Sequence, residues 1–200
     1  MTCCNRCGVF LPENQKLATT CAKCLISPPI FHSCHAIFRY ESPIKEIISA
    51  FKFNGCFAEG QVLGKYLSRQ FNNYYSSLAP PELLIPIPLH ANRLRQRGFN
   101  QATELTRIVS RYSQIKMSLK DIIRHLNTRP QAELKADERK QNMNNAFVLR
   151  ATSRIAQVNH VAVIDDVVTT MSTSAAVANL LIKAGVKKVD IWSIARTHNY

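Results

Sequence analysis

The sequence predicts an α/β fold, a parallel sheet flanked by helices, behind a small cysteine-rich N-terminal module. Three observations carry this. The C-terminal part alternates strand, helix and strand at Val161–Ile164, Thr173–Lys183 and Val189–Ile194. Parallel strands need a crossover, and a helix between them supplies one. Apolar residues at helical spacing recur upstream, and five of the seven cysteines fall within the first 24 residues, apart from that pattern.

Residues 1–35 form the expected module, closed by Ser27-Pro28-Pro29, and residues 36–200 the expected α/β domain. His35–Tyr40 reads as a short strand. Pro43 suits the first turn of a helix running through IKEIISAFKF, which Gly55 ends. Ala58–Tyr75 is a second helix. Leu83–Pro88, an apolar run between prolines, fits a buried strand that stops abruptly. HANRLRQRGFNQ follows as a basic loop. Phe99–Tyr112 places Ala102, Leu105, Ile108 and Val109 on one helical face. The stretch 113–150 is polar and basic, with a turn expected at Asn142–Asn145, and Gly185 suits the C-terminal cap of the helix before it.

At 46% hydrophobic and 20% charged the chain is globular in composition, and no apolar run approaches the roughly 18 residues of a membrane span. MTCCNRCGVF has no hydrophobic signal core, so a cytoplasmic location is expected. The net charge of +13 and pI near 9.7 point to a polyanionic partner. Between Arg93 and Lys140, twelve Lys/Arg face five Asp/Glu, an excess on which salt-sensitive nucleic-acid binding can rest. Phe99 and Phe147 could stack on bases, although core packing is the commoner fate of such residues.

VAVIDDVVTTMST, residues 161–173, runs an apolar strand into two carboxylates and then a cluster of hydroxyls before a helix. Ligands of open α/β sheets bind outside the carboxyl ends of strands. Backbone N–H groups of the loop and helix start make an anion site, to which Thr169, Thr170, Ser172 and Thr173 add hydroxyls. Thr173 could also cap the helix. Asp165 and Asp166 would repel a phosphate there, so they must serve something attached to it, sugar hydroxyls or Mg²⁺; a phosphorylated ribose meets both demands. The segment resembles the 5-phosphoribosyl-1-pyrophosphate (PRPP) motif of type I phosphoribosyltransferases. The resemblance puts Asp165 and Asp166 on the ribose hydroxyls and the four hydroxyl residues on the 5′-phosphate. Met171 departs from it. The family has Gly there, which permits positive φ and close approach of backbone to phosphate. Either PRPP binding is weakened or lost, or the loop rearranges with Met171 turned away.

Cys4-x2-Cys7 and Cys21-x2-Cys24, thirteen residues apart, form two knuckles whose four thiolates suit a closed, structural Zn²⁺ site. Cys3 could replace Cys4, Cys34 and His35 are further candidates, and Cys56 reads as an ordinary thiol.

Lys52-Phe53, PIPLHANRLRQRGFNQA, Arg129-Pro130-Gln131, Arg139-x-x-Asn142, Ala146-Phe147, IDDVVTT and Ala195-Arg196 follow one another in order across nearly the whole chain. In this the sequence resembles the ComF (ComFC/GntX-like) family, in which a four-cysteine zinc ribbon precedes a type I phosphoribosyltransferase-like domain. The resemblance implies natural transformation: handling of incoming single-stranded DNA on the cytoplasmic side of the inner membrane, beside a DNA-translocating helicase and a DNA channel. Candidate nucleic-acid contacts are Arg93, Arg95, Arg97, Arg124, Arg129 and Arg139. The alternative expectation is an active phosphoribosyltransferase using PRPP and Mg²⁺ with an unspecified acceptor. There Lys52, Arg93 and Arg97 would hold the diphosphate, and Asp165 or Asp166, less readily His90, would assist the acceptor.

Overall fold

The computed structural model describes residues 3–12, 19–53, 57–126, 146–151, 153 and 155–197. In chain order the elements are α1 (Ala22–Ile26), β1 (Ser33–Arg39), α2 (Ile44–Phe53), α3 (Phe57–Tyr75), β2 (Leu83–Pro86), α4 (Ala91–Arg97), α5 (Gln101–Ser113), β3 (Ile122–Arg124), β4 (Phe147–Leu149), β5 (His160–Val168), α6 (Ser172–Lys183) and β6 (Lys188–Arg196). β1, β6, β5 and β2 pair in that order, all parallel, as the strand–helix–strand pattern predicts.

Alternation along β5 divides the core in two. Val161 and Val163 face one side, with Ile85, Val189, Ile191 and the α6 residues Val177 and Leu181. Ala162 and Ile164 face the other, with Trp192, Leu67, Phe71 and Leu105 from β6, α3 and α5. Side chains of successive strand residues point to opposite faces, so a sheet covered on both sides reads as an unbroken apolar run.

Three expectations change. The basic segment after β2 is the helix α4, not a loop: the ring of His90 accepts from the Asn92 amide at 3.2 Å and Gly98, at φ 78°, closes the other end. β5 does not stop before the acidic pair but continues through Asp165 and Asp166 to Val168 against β6. The antiparallel pair β3–β4 lies inside the stretch read only as polar and basic; its apolar content was too short to announce a strand. Gly55, Cys56, the Asn142–Asn145 turn, Arg129 and Arg139 lie outside the described residues. No described helix is long and apolar enough to cross a membrane.

At the N-terminal end of the sheet, Asp190 is fully buried and gathers donors from several elements. Ser33 Oγ donates at 2.7 Å, Tyr75 OH at 2.8 Å, and His32 and His160 lie at 2.9 and 2.7 Å. Burial would raise its pKa, but the hydrogen bonds from His160, Ser33, Tyr75 and His32 outweigh it and hold the carboxyl far below the usual range. Asp190→Asn keeps the volume and mispairs the donors. We expect it to cost about 3 kcal/mol at pH 7. A depressed folded-state pKa contributes stability above the unfolded value near ~4, lost as pH falls. Calorimetric melting should therefore show the gap between wild type and variant closing in acid.

Candidate functional site

β2 ends its pairing at Pro86 opposite Ile164, while β5 runs on, so the acidic pair stands beside an open end of the sheet. Each carboxylate is oriented by the next backbone amide: Asp165 Oδ1 accepts from Asp166 N at 2.8 Å, and Asp166 Oδ1 from Val167 N at 2.6 Å. Lys52, at the end of α2, pairs with Asp166 Oδ2 at 2.9 Å. Asp165 is pushed well above the usual carboxylate range, first by burial and then by the charge of Asp166, with Lys52 opposing. One carboxyl thus favours its protonated form while its neighbour is paired with Lys52.

The Arg97–Gln101 segment is largely a joint that carries this arrangement. Asn100 accepts from the Ala102 amide at 3.1 Å, capping α5, and donates to the Ile87 carbonyl at 3.0 Å. Gln101, 1% exposed, accepts from Arg97 at 3.2 Å and donates to the Lys52 carbonyl at 3.4 Å. Phe99 packs on Phe51 and Phe57 at ring separations of 5.5 and 4.9 Å, and Phe147 is 4% exposed. Both aromatics therefore serve packing. The helical geometry of α4 also corrects the expectation that alternate arginines face one ligand. Residues two apart diverge by about 200°, whereas those four apart share a face. Arg93 and Arg97 are half-buried on one face, and Arg95 turns to solvent, donating to Asn92. Arg124, expected only as a DNA contact, lies within charge-interaction range of Asp165. Its pKa is lowered by burial and by the charge of Arg93, with Asp165 opposing. Its guanidinium lies over the Phe147 ring, 5.5 Å from the centroid. Lys52 is thus paired with Asp166, and Arg124 stands within charge-interaction range of both Asp165 and Arg93.

Next to Asp165, Val167–Ser174 curves into a small polar cup lined by Asp165, Thr169, Ser172 and Thr173. Thr170 Oγ1 and Ser172 Oγ are 3.0 Å apart. Thr173 does not cap α6. The N-cap position is Met171, at φ 64°, with no side-chain cap. Met171 thus holds the left-handed conformation that Gly would adopt, at a cost of about 1–2 kcal/mol. Its side chain packs on both the main core and the ribbon core. The loop keeps its geometry because tertiary contacts offset the strain. Arg196, to which the sequence assigned no role, completes the support. Its Nε donates to the Cys7 carbonyl at 3.2 Å, and Nη1 donates to the carbonyls of Val168, at 3.1 Å, and Thr169. An arginine directly after the buried Ile194-Ala195 was the available signal.

Cys4, Cys7, Cys21 and Cys24 place their sulfurs within 4.8 Å of one another, and among the described residues they are the only group so placed. Cys7 and Cys21 sulfurs are 3.7 Å apart; tetrahedral zinc at ~2.3 Å from each sulfur sets ligand sulfurs about 3.8 Å apart. Cys3 and Cys34 lie outside the group. Burial raises the thiols of Cys7 and Cys24. At Cys4, hydrogen bonds from the amides of Cys21, Cys7 and Arg6 outweigh burial and lower it. Four such sulfurs can ionise together only around a cation. Gly8, at φ 70°, lets the knuckle reach the sheet: a Cβ there would stand 2.9 Å from the Cys34 carbonyl oxygen.

No protein-family model matches the sequence. It is 35% identical over 196 residues to Competence protein F of Haemophilus influenzae, covering 96% of this chain and 84% of that one. The chain belongs to the ComF family. DNA utilization protein YhgH of Escherichia coli K12 is 31% identical over 98% of this ComF chain and 85% of its own. Competence protein ComFC of Streptococcus pneumoniae is 26% identical over 90% and 77%. A purine phosphoribosyltransferase from Pyrococcus horikoshii superposes with a TM-score of 0.40 and 14% identity, over 68% of this chain and 82% of that one.

Two outcomes are expected of this ComF site. Met171→Gly and Met171→Ala both remove packing, but only Gly relieves the positive φ. Chemical denaturation should find the Gly variant more stable than the Ala variant by about 1 kcal/mol, the reverse of ordinary loop behaviour. Asp165 has a raised folded-state pKa, so the folded protein holds a proton that the unfolded chain releases near pH ~4. Stability falls as pH rises above that value. Asp165→Asn should melt progressively higher than wild type as pH increases from 5 to about 9.

Proposed function

We propose that this protein acts in DNA uptake, binding single-stranded DNA and PRPP at one shared anion site of a phosphoribosyltransferase-like domain. The pairing of Lys52 with Asp166 beside the polar cup, with Arg124 in charge range of Asp165 and Arg93, carries this reading. Cations at the rim suit phosphates, and the carboxylates suit a sugar or its Mg²⁺. The relatives named for competence and DNA utilization support the process. PRPP would place its 5′-phosphate on Thr169, Thr170, Ser172 and Thr173, its ribose hydroxyls on Asp165 and Asp166, and its diphosphate toward Arg93, Arg97 and Lys52. Arg95, Arg129 and Arg139 would extend the basic track for DNA. Residues 1–35 would form the ribbon, with structural zinc on Cys4, Cys7, Cys21 and Cys24, and residues 36–200 the phosphoribosyltransferase-like domain. The place of action would be the cytoplasmic side of the inner membrane, beside a translocating helicase and channel.

Cations near a carboxylate pair also suit a leaving diphosphate, which supports a second reading. An acceptor nitrogen would bond to ribose C1 as the C1–O bond to diphosphate breaks. The test is a titration of zinc-loaded protein into labelled single-stranded oligonucleotide at two salt concentrations, with and without PRPP and Mg²⁺. DNA binding should weaken about tenfold or more over a fourfold rise in salt, and PRPP should alter it. Asp165→Asn with Asp166→Asn should abolish PRPP binding and spare DNA. Loss of DNA binding in a folded double variant would sink the division of labour. PRPP binding without DNA binding would leave the transferase reading, to be pursued by release of diphosphate with candidate acceptors.

A further inference from the structure

The loop after β5 is a wall between two spaces. Asp165 lies on one side, with the polar cup. On the other, the ribbon and the same loop enclose a cavity of about 400 Å³. Val9, Leu11, Ala22 and Met171 give this second space an apolar lining, Thr169 and Thr170 form its loop edge, and Lys23 adds a cation. Thr169 and Met171 line both spaces. The ribbon core behind it, with Val9 8% and Leu11 5% exposed, is packed and backed by the knuckle that Arg196 ties down.

PRPP has no use for the second space. Its 5′-phosphate is a terminal monoester with one carbon arm, and that arm leads to the ribose on the carboxylate side. A phosphodiester has two arms. With its phosphate on the loop and one sugar toward Asp165, the other arm leads across Thr169 and Thr170 to the ribbon side. The group it carries there is a nucleoside, whose base has apolar faces and a polar edge. We propose that the ribbon-side cavity receives the base of the adjoining nucleotide when the loop holds a phosphate of single-stranded DNA. The base must be unpaired to enter. The ribbon then has a role beyond folding: it supplies the wall by which the site distinguishes a polymer from a small phosphorylated sugar. This rests on the shared-site reading above.

Ala22 is an exposed residue of α1 on the cavity wall, and Leu is a good helix former, so Ala22→Leu fills space without breaking the helix. The experiment measures binding of labelled oligothymidylate, the same backbone with abasic spacers, and PRPP to full-length protein. In wild type, abasic DNA should bind about tenfold more weakly than oligothymidylate. In Ala22→Leu that ratio should fall toward one through loss of oligothymidylate affinity, with PRPP affinity unchanged. Ala22→Ser, which leaves the space open, should behave as wild type. Zinc content and melting temperature identify any variant that has not folded, and Ala22→Val then provides the smaller filler. Equal binding of abasic and natural DNA by wild type overturns the inference, as does an inert Ala22→Leu. In both cases the shared-site reading survives if PRPP still competes with DNA. If wild type binds no DNA, both fall together.

Discussion

The guanidinium of Arg196 joins parts of the chain that nothing in the sequence order would bring together. It is 4% exposed and ends β6, yet it donates to the Cys7 carbonyl, 189 residues away, and to the carbonyls of Val168 and Thr169. A buried cation is costly unless its donors are satisfied. Here backbone carbonyls satisfy them, and the carbonyls lie at the bends of the knuckle and of the loop after β5. One side chain therefore fixes the position of the cysteine module relative to the sheet and the curvature of the loop. Met171 makes the same connection in apolar form, packing against both cores from a backbone conformation an L-residue holds only under support.

Asp165 and Asp190 show how the same residue type is given opposite properties by its surroundings. Asp190 is deeper, but hydrogen bonds from four side chains stabilise its charge. Asp165 has a single backbone donor and a carboxylate neighbour, so burial dominates and the neutral form is favoured. The first arrangement ties strands together at the closed end of the sheet. The second leaves an incompletely satisfied group at the open end, beside the Lys52–Asp166 pair and within charge range of Arg124. The incompletely satisfied carboxyl therefore stands at the carboxyl end of the strands, the end at which open α/β sheets in general bind ligands.

The ribbon is also more than an appendage in this geometry. The sulfur cluster is too small to fold on a hydrophobic core of its own, and a cation among the thiolates would supply the missing stability. Gly8 admits the knuckle against Cys34 in β1, and α1 and the residues around Val9 face the loop. Cysteine quartet, knuckle, Arg196 and loop form one connected set of contacts, so a cation among the thiolates would bear on the shape of the loop.

The sequence by itself determined the parallel sheet, the helices α2, α3 and α6 to within a residue or two, and the cysteine quartet. Periodicity and C-x2-C spacing are local signals, and local sterics suffice to read them. It also located the loop's hydroxyls and the odd residue among them, Met171. Only the tertiary structure decided that HANRLRQR is helical, so that Arg93 and Arg97 part company with Arg95. It alone brought Arg124 to Asp165 and set Lys52 on Asp166. And it alone showed what lets Met171 stand where Gly was expected. The reason is the same in each case. A backbone conformation or a charge that is unfavourable locally is held by contacts from residues tens or hundreds of positions away, and such contacts leave no period in the sequence to read.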